Sequence, residues 1–322
     1  MRRLVLSAVL AVVVGSAASP ARGGTRVLMP RVSYRRVVQS SAHGPVVLHV
    51  ITAPRPGGLY QLKPLLSSGT ILGRERATSM ERSISRTATV AGVNGDLFNW
   101  KDGHPTGIVL DDGVLKSSPY RWRSSTGVTA GGRLEVARVG LYGIWQGLEQ
   151  PHPPPGLNHL PPADRASIFT PAYGPETPEL PGAAAEAVVE PFPAAVPGQE
   201  LAGTVTGQAA GGRTPIPADG AVLVARGRQA SALLQEAPVG AQLMARLTFS
   251  ANWQAAGVTE ALGGGPVIVR NGRPVWTARE DFLPSQLGPL SPRTAVGQRR
   301  NGKIILLAVD SRRRGYSTGL TN

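Results

Sequence analysis

Short runs of apolar residues, separated by Gly, Pro, Asn and Asp, recur along most of the chain. That punctuation reads as strands and turns, with few helices. Residues 46–53 (Val-Val-Leu-His-Val-Ile-Thr-Ala) are a predicted strand. Thr78-Ser79-Met80-Glu81 fits a capping box, and Met80, Ile84 and Ala88 follow at i, i+4 spacing, so the pattern predicts a short amphipathic helix over 79–87. Residues 89–93 then switch to a β run that leads into Asn94-Gly95-Asp96-Leu97-Phe98-Asn99-Trp100. Hairpins are predicted around 111–113 and 130–132. Asn271-Gly272 and Asn301-Gly302 are the strongest hairpin signals, since that dipeptide tolerates the positive φ of a type I′ turn. They join 266–270 to 273–276 and 294–297 to 303–309. The stretch 151–162, with six prolines, reads as an internal loop. Short β runs resume at 185–190, 201–206, 221–225 and 242–249, with a short helix near 233–235. Ile304–Val309 reads as a central strand with Asp310 at its end. Thr321 and Asn322 are good N-cap residues and announce a helix.

The N-terminus adds a targeting segment. Met1-Arg2-Arg3, the apolar stretch from Leu4 to Val14, and Ser16-Ala17-Ala18 read as a signal peptide cleaved after residue 18. The apolar run is too short for an ordinary transmembrane helix, and no later segment is long enough. The expected product is secreted or extracytoplasmic, with no integral membrane span after cleavage. Residues 19–44 are read as a lead-in and 45–322 as one domain. The expected fold is α+β: a curved, largely antiparallel sheet with a few short helices.

Charge changes this picture little. The chain carries 34 Lys+Arg against 20 Asp+Glu, a net +14. Only four of the cations are Lys (63, 101, 116, 303); the other 30 are Arg, scattered apart from Arg121/Arg123, Arg299/Arg300 and Arg312-Arg313-Arg314. That skew matches a GC-rich codon composition, so no nucleic-acid partner is expected; an anionic cell-surface partner fits better. No cysteine is present, which excludes disulfides, Cys-ligated metals and a thiolate nucleophile. The five His form no HxxxH or HxH pair, and no cofactor or metal is expected.

Five segments in order resemble the phosphodiester glycosidase family. They are Val93–Phe98; Pro105–Ile108 with the hairpin after it; Ile216-Pro217-Ala218-Asp219-Gly220; Ala261-Leu262-Gly263-Gly264-Gly265-Pro266; and Pro292–Gly297 running on to Ala308-Val309-Asp310 and Gly315–Asn322. The resemblance spans residues 90–322. Family members of this type continue past Gly319–Asn322 with a helix and an Asp-Gly-Gly-Gly-Ser strand end, so the resemblance implies a C-terminally incomplete domain. It also implies a hydrolase that cleaves the C1–O bond of a sugar-1-phosphodiester, of the N-acetylglucosamine-1-phosphodiester type, in cell-envelope or exopolysaccharide material. The partner is then a sugar-phosphate or anionic polysaccharide. The alternative is a non-catalytic surface protein that binds polysaccharide.

Such a site needs a clamp for the departing phosphate, a carboxylate for water or the oxocarbenium-like centre, and polar groups for the sugar. The resemblance points to Arg293 as the clamp, with Thr294 as a further donor. Asn94 and Asp96 stand at a predicted strand exit, where they either orient and activate substrate or cap the local turn. Asp310 is either catalytic or a cap on the next turn. Gly263, Gly264 and Gly265 either bring backbone N–H groups to phosphate or pack a bulge. His104, Asp111 and Asp112 read as loop and turn residues, and Glu260 as an outside candidate. The reading requires Asn94, Asp96, Arg293 and Asp310 to meet in one crevice.

Overall fold

The computed structural model describes residues 24–86, 90–275 and 280–321. The expected signal peptide lies outside them, as do residues 87–89 at the junction of the predicted helix and β run, Trp276 and Asn322. The fold is α+β: among the described residues, three main sheets and a two-stranded ribbon carry four short helices. No described helix is long and apolar enough to cross a membrane.

The first sheet runs Thr25–Met29, Val32–Ser41, Gly44–Ala53, Ile304–Val309, Arg293–Gln298, antiparallel throughout. Ile304–Val309 is an interior strand, as its apolar run predicts. The segment read as a lead-in supplies the first two strands. The second sheet runs Gly156–Leu157, Ala166–Phe169, Ala221–Arg226, Ala184–Val189, Glu200–Ala209, Gln242–Phe249, Leu141–Gln146, Pro151–His152. Only the pair at its Gly156 edge is parallel. Two short strands thus come from the proline-rich stretch read as a loop. They sit at the sheet's two edges, where a missing proline N–H breaks no ladder. The third sheet runs Val114–Ser117, Val109–Asp111, Val258–Gly263, Ser124–Thr129, Leu134–Arg138.

The second sheet is buried on both faces at the strands Ala166–Phe169, Ala221–Arg226 and Ala184–Val189, and on one face along Glu200–Ala209 and Gln242–Phe249. Along Ala221–Arg226, Ala221, Leu223 and Ala225 face a core shared with Ile108, Leu110 and Ala261 of the third-sheet region. Val222 and Val224 face a smaller core with Ile71, Phe169, Tyr173 and Ile216. The period-2 pleat of a strand sends neighbours to opposite faces, so a doubly covered strand reads as one continuous apolar run.

Two local expectations are corrected. The helix is Ala77–Ile84 with Arg76 at its N-cap and no side-chain cap bond. Thr78 therefore sits inside the first turn, and the capping box does not form. The predicted β run before Asn94 is absent, since residues 90–93 form no strand. Asn271 and Gly272 do both take positive φ (52° and 75°), as a type I′ turn demands, but the ribbon they join is only Val269–Arg270 with Arg273–Pro274.

Candidate active site

The segment 94–107 is a compact loop tied to itself and to the 67–73 region. Thr106 N–H donates to Leu97 O (2.9 Å), Asn99 N–H to His104 O (2.8 Å), and Gly73 N–H to Asp102 O (2.8 Å). His104 packs edge-on to Tyr173 at 6.3 Å, and burial lowers its pKa, which matches a packed loop residue. Phe98 and Trp100 lie 5.0 Å apart on the exposed side of the loop, and Trp100 is 76% exposed.

Asp96 is the side chain this loop seats most closely. Its Oδ1 accepts Leu97 N–H at 2.7 Å, and its other oxygen lies over two glycines. An ideal Cβ on Gly107 would fall 2.7 Å from Asp96 Oδ2, and one on Gly263 would fall closer still. The two glycine Cα atoms also crowd each other, since the Gly107 Cβ would sit 3.1 Å from the Gly263 Cα. Gly263 N–H donates to Ile108 O at 2.9 Å, which locks the two segments together. The glycines of the resemblance therefore make room for a carboxylate. Burial raises the Asp96 pKa, and the Leu97 N–H, the Arg123 charge and the Gly107 N–H partly oppose that.

Arg123 is a residue the sequence reading missed as a site candidate. Its Nε donates to Asp281 O at 2.6 Å, and its guanidinium lies 4.5 Å from the Phe282 ring centre and 5.3 Å from that of Tyr120. Its Nη1 is buried without a hydrogen-bond partner among the described residues. Nearby, Glu280 is only 7% exposed and accepts Ser124 N–H (2.8 Å), Ser124 Oγ–H (2.8 Å) and Val267 N–H (3.0 Å). Those bonds pin the Gly265-Pro266 turn. Gly265 itself has φ +101° and no room for a side chain against Glu280 and Phe282, whereas Gly264 has nothing within 4 Å of its Cβ position. Of the three glycines, Gly264 alone has open space where a side chain would stand. Asn94 is exposed beside this centre.

Arg293 and Asp310 stand at neighbouring strand ends of the first sheet. Arg293 pairs across the first sheet with Val309, and Thr294 pairs with Ala308, which in turn pairs with His49. Directly opposed residues share a face and successive residues alternate. Arg293 therefore projects from the face opposite to Thr294 and His49. Asp310 lies on the His49 face, because its Oδ2 is 3.0 Å from His49 Nε2. The Arg293 guanidinium is taken up by carbonyls: Nε donates to Leu320 O (3.1 Å), and Nη2 to Pro289 O (3.1 Å) and Leu287 O (3.3 Å). Burial lowers its pKa. Asp310 also accepts Tyr316 O–H at 3.0 Å, and its pKa is lowered, chiefly by the His49 hydrogen bond. His49 in turn meets Tyr34 O–H through Nδ1 at 2.7 Å. Among the described residues no hydrogen bond or ion pair links Asp96 to Arg293 or Asp310. The strand register places Arg293 and Asp310 on opposite faces of the first sheet, so these two do not project into one crevice. A lone His inside the apolar strand 46–53 was the available signal for the His49–Asp310 pair.

A third cluster joins Asp111, Asp112 and Glu260 within 4.8 Å of one another. Lys63 pairs with Asp112 and lies 3.5 Å from Asp111 and 3.9 Å from Glu260, while Lys116 is 2.6 Å from Asp111. The two ammonium groups already supply the countercharge a cation would. At Glu260 burial outweighs the Asp112 N–H and the Lys63 charge and pushes its pKa up to about 7. Asp112, with φ 50°, forms the hairpin turn expected of it. Asp111 and Lys116 also line a cavity of about 460 Å³ beneath the Ala77–Ile84 helix.

Residues 194–322 match the phosphodiester glycosidase family model, so the resemblance read from the sequence holds over that part of the chain. Segments 93–98 and 105–108 lie before the matched span. Two solved structures share the fold. One is a hypothetical protein from Synechocystis (TM-score 0.77, 23% identity), aligned over 93% of this chain and 54% of that one. The chain thus spans about half the length of that relative. The other, from Burkholderia pseudomallei K96243, is described as an exported protein (TM-score 0.75, 16% identity; 100% of this chain, 90% of that one). No curated protein matches the chain.

Proposed function

We propose that the protein is an exported hydrolase that cleaves the C1–O bond of sugar-1-phosphodiesters. The observation that carries this reading is the Asp96 carboxylate, seated between Gly107 and Gly263 and biased by burial toward its protonated form. A carboxyl whose pKa is raised by burial is a better proton donor to a departing oxygen than a free, exposed one. A phosphate leaving group needs less of that help than a sugar alcohol, so one modest acid suffices. Arg123, with its unpartnered Nη1 and its charge acting on Asp96, takes the phosphate-holding role that the sequence pointed to at Arg293. Gly264 offers backbone N–H to the same group, and Asn94 grips the sugar. The exposed Phe98–Trp100 pair gives a sugar ring an apolar face to stack on. The family match over residues 194–322 supports the reaction class, and the exported relative agrees with the leader read at residues 1–18.

The test is release of sugar from an N-acetylglucosamine-1-phosphodiester, with Asp96→Asn and Arg123→Ala beside the parent chain. Turnover that falls by about 10²–10⁴ in Asp96→Asn supports the assignment. Absence of turnover on any sugar-1-phosphodiester, or an unaffected Asp96→Asn enzyme, rejects it and favours a polysaccharide-binding role.

A further inference from the structure

The first sheet carries a second organised surface that the proposed chemistry does not use. Across four strands, Arg36, His49, Ala308 and Thr294 are consecutive cross-strand partners, so they form one row on one face. At its edge the loop after Ile304–Val309 folds back: Tyr316 N–H donates to Arg313 O (3.0 Å) and Arg313 N–H to Ser317 O (3.2 Å). Buried Ser317 fastens that loop to the sheet, donating to Asp310 O (2.5 Å) and accepting Val47 N–H (3.0 Å). Tyr316 stands at the centre of the edge. Its hydroxyl is held by Asp310, and the Arg36 and Arg313 guanidinium carbons lie 5.4 and 5.0 Å from its ring centre. Arg312 and Arg314 flank Arg313, and all four arginines are exposed. Among the described residues no carboxylate forms an ion pair with any of them, and Asp310 already accepts hydrogen bonds from His49 and Tyr316.

Arg36 and Arg313 converge on the Tyr316 ring, and the exposed Arg312 and Arg314 stand on the same fastened loop, more cationic groups than one phosphate can engage. Their spread suits a chain of phosphates. Thr294 adds a hydroxyl on the same face, and Tyr34 and His49, bonded to each other and through His49 to Asp310, hold the row beside the arginines in place. Nucleic-acid single strands are held by bases stacked on free aromatic faces, but here the Tyr316 ring already carries two guanidinium groups. We propose that this edge binds the phosphates of an anionic, phosphodiester-linked glycan polymer. The choice of polymer rests on the proposed activity; the binding itself does not require turnover.

The experiment measures binding of the full chain to fluorescent poly(glycerol phosphate) over a range of salt. Monomeric glycerol phosphate, neutral dextran and DNA serve as the other probes. The expected result is polymer binding with a clear salt dependence, and weak or no binding of the monomer and dextran. Arg36→Ala/Arg313→Ala weakens it at least about tenfold and flattens the log–log salt slope by roughly 1.4, at ~0.7 for each lost phosphate contact. Arg82→Ala/Arg86→Ala, two exposed arginines elsewhere, leaves both quantities unchanged. An equal loss in that control, no polymer binding at low salt, or tighter binding of DNA overturns the proposal. Asp96→Asn binds the polymer as the parent does. Binding without hydrolysis therefore rejects only the catalytic reading, and hydrolysis of the small diester without polymer binding rejects only this one.

Discussion

Gly107→Ala tests the seating of Asp96 directly. The Gly107 backbone is not in the left-handed region, so alanine adds steric demand there without backbone strain. Its Cβ would lie 2.7 Å from Asp96 Oδ2 and 3.1 Å from the Gly263 Cα. An unstrained contact requires roughly half an ångström more on the oxygen side. The carboxylate cannot simply retreat, because Gly263 bounds it as well and Leu97 N–H holds its other oxygen at 2.7 Å. Overpacking of this kind costs about 1–3 kcal/mol. At about 2–4 °C per kcal/mol for a large domain, the melting temperature should fall by several degrees. Displacing the acid by a fraction of an ångström should lower turnover by as much as about 10²-fold. The decisive measurement is a double-mutant cycle with Asp96→Ala. Removing the carboxylate removes the oxygen clash and leaves only the 3.1 Å approach to the Gly263 Cα, so Gly107→Ala should become milder in that background, with a coupling energy of about 1–2 kcal/mol. Strict additivity, or a Gly107→Ala protein with unchanged melting and turnover, would refute the glycine-cradle argument.

Other consequences are as specific. Arg293→Lys keeps the charge but loses the fork that reaches Leu287, Pro289 and Leu320; denaturant titration should register a loss of about 1–3 kcal/mol, whereas unchanged stability with impaired turnover would restore Arg293 as a phosphate clamp. Glu260 has a folded pKa of about 7 against an ordinary 4.5, so the native state keeps a proton the unfolded chain releases, and its ionisation lowers stability progressively as pH rises from 4.5 to 7. Glu260→Gln should lack that decline, and a carboxyl carbon resonance titrating near 4.5 in the parent would contradict it. The same sign holds for Asp96, whose folded pKa is also raised: Asp96→Asn should gain stability relative to the parent at neutral pH, and the gain should vanish below pH 3.8. Equal pH dependence in both proteins would count against burial as the cause.

Local chemistry was legible wherever one short segment decides the outcome. The Asn271-Gly272 turn, the helix containing Leu233 and the interior strand Ile304–Val309 all follow from residue type and spacing. The helix at 77–84 was legible as a helix but not in its start, because Arg76 became the N-cap and left Thr78 within the first turn. The run before Asn94 reads as β yet forms no strand at 90–93, since intrinsic β preference needs a partner strand to be realised. The proline-rich stretch concealed two edge strands for the converse reason: at an edge, a partner tolerates proline.

Amino-acid order alone therefore determined the strand-and-turn character of the chain, the family resemblance and the glycine-rich segments around the candidate site. Only the tertiary structure decided which of the candidate residues share a place. Arg293 and Asp310 are separated by one cross-strand pairing, and that register sends them to opposite faces. His49 and Asp310 meet across 261 residues of chain, and Asp96 meets glycines whose importance is invisible until a carboxylate lies against them. Side-chain facing has a period of two, so it depends on register, and register is set by the packing of whole sheets rather than by any local run of residues.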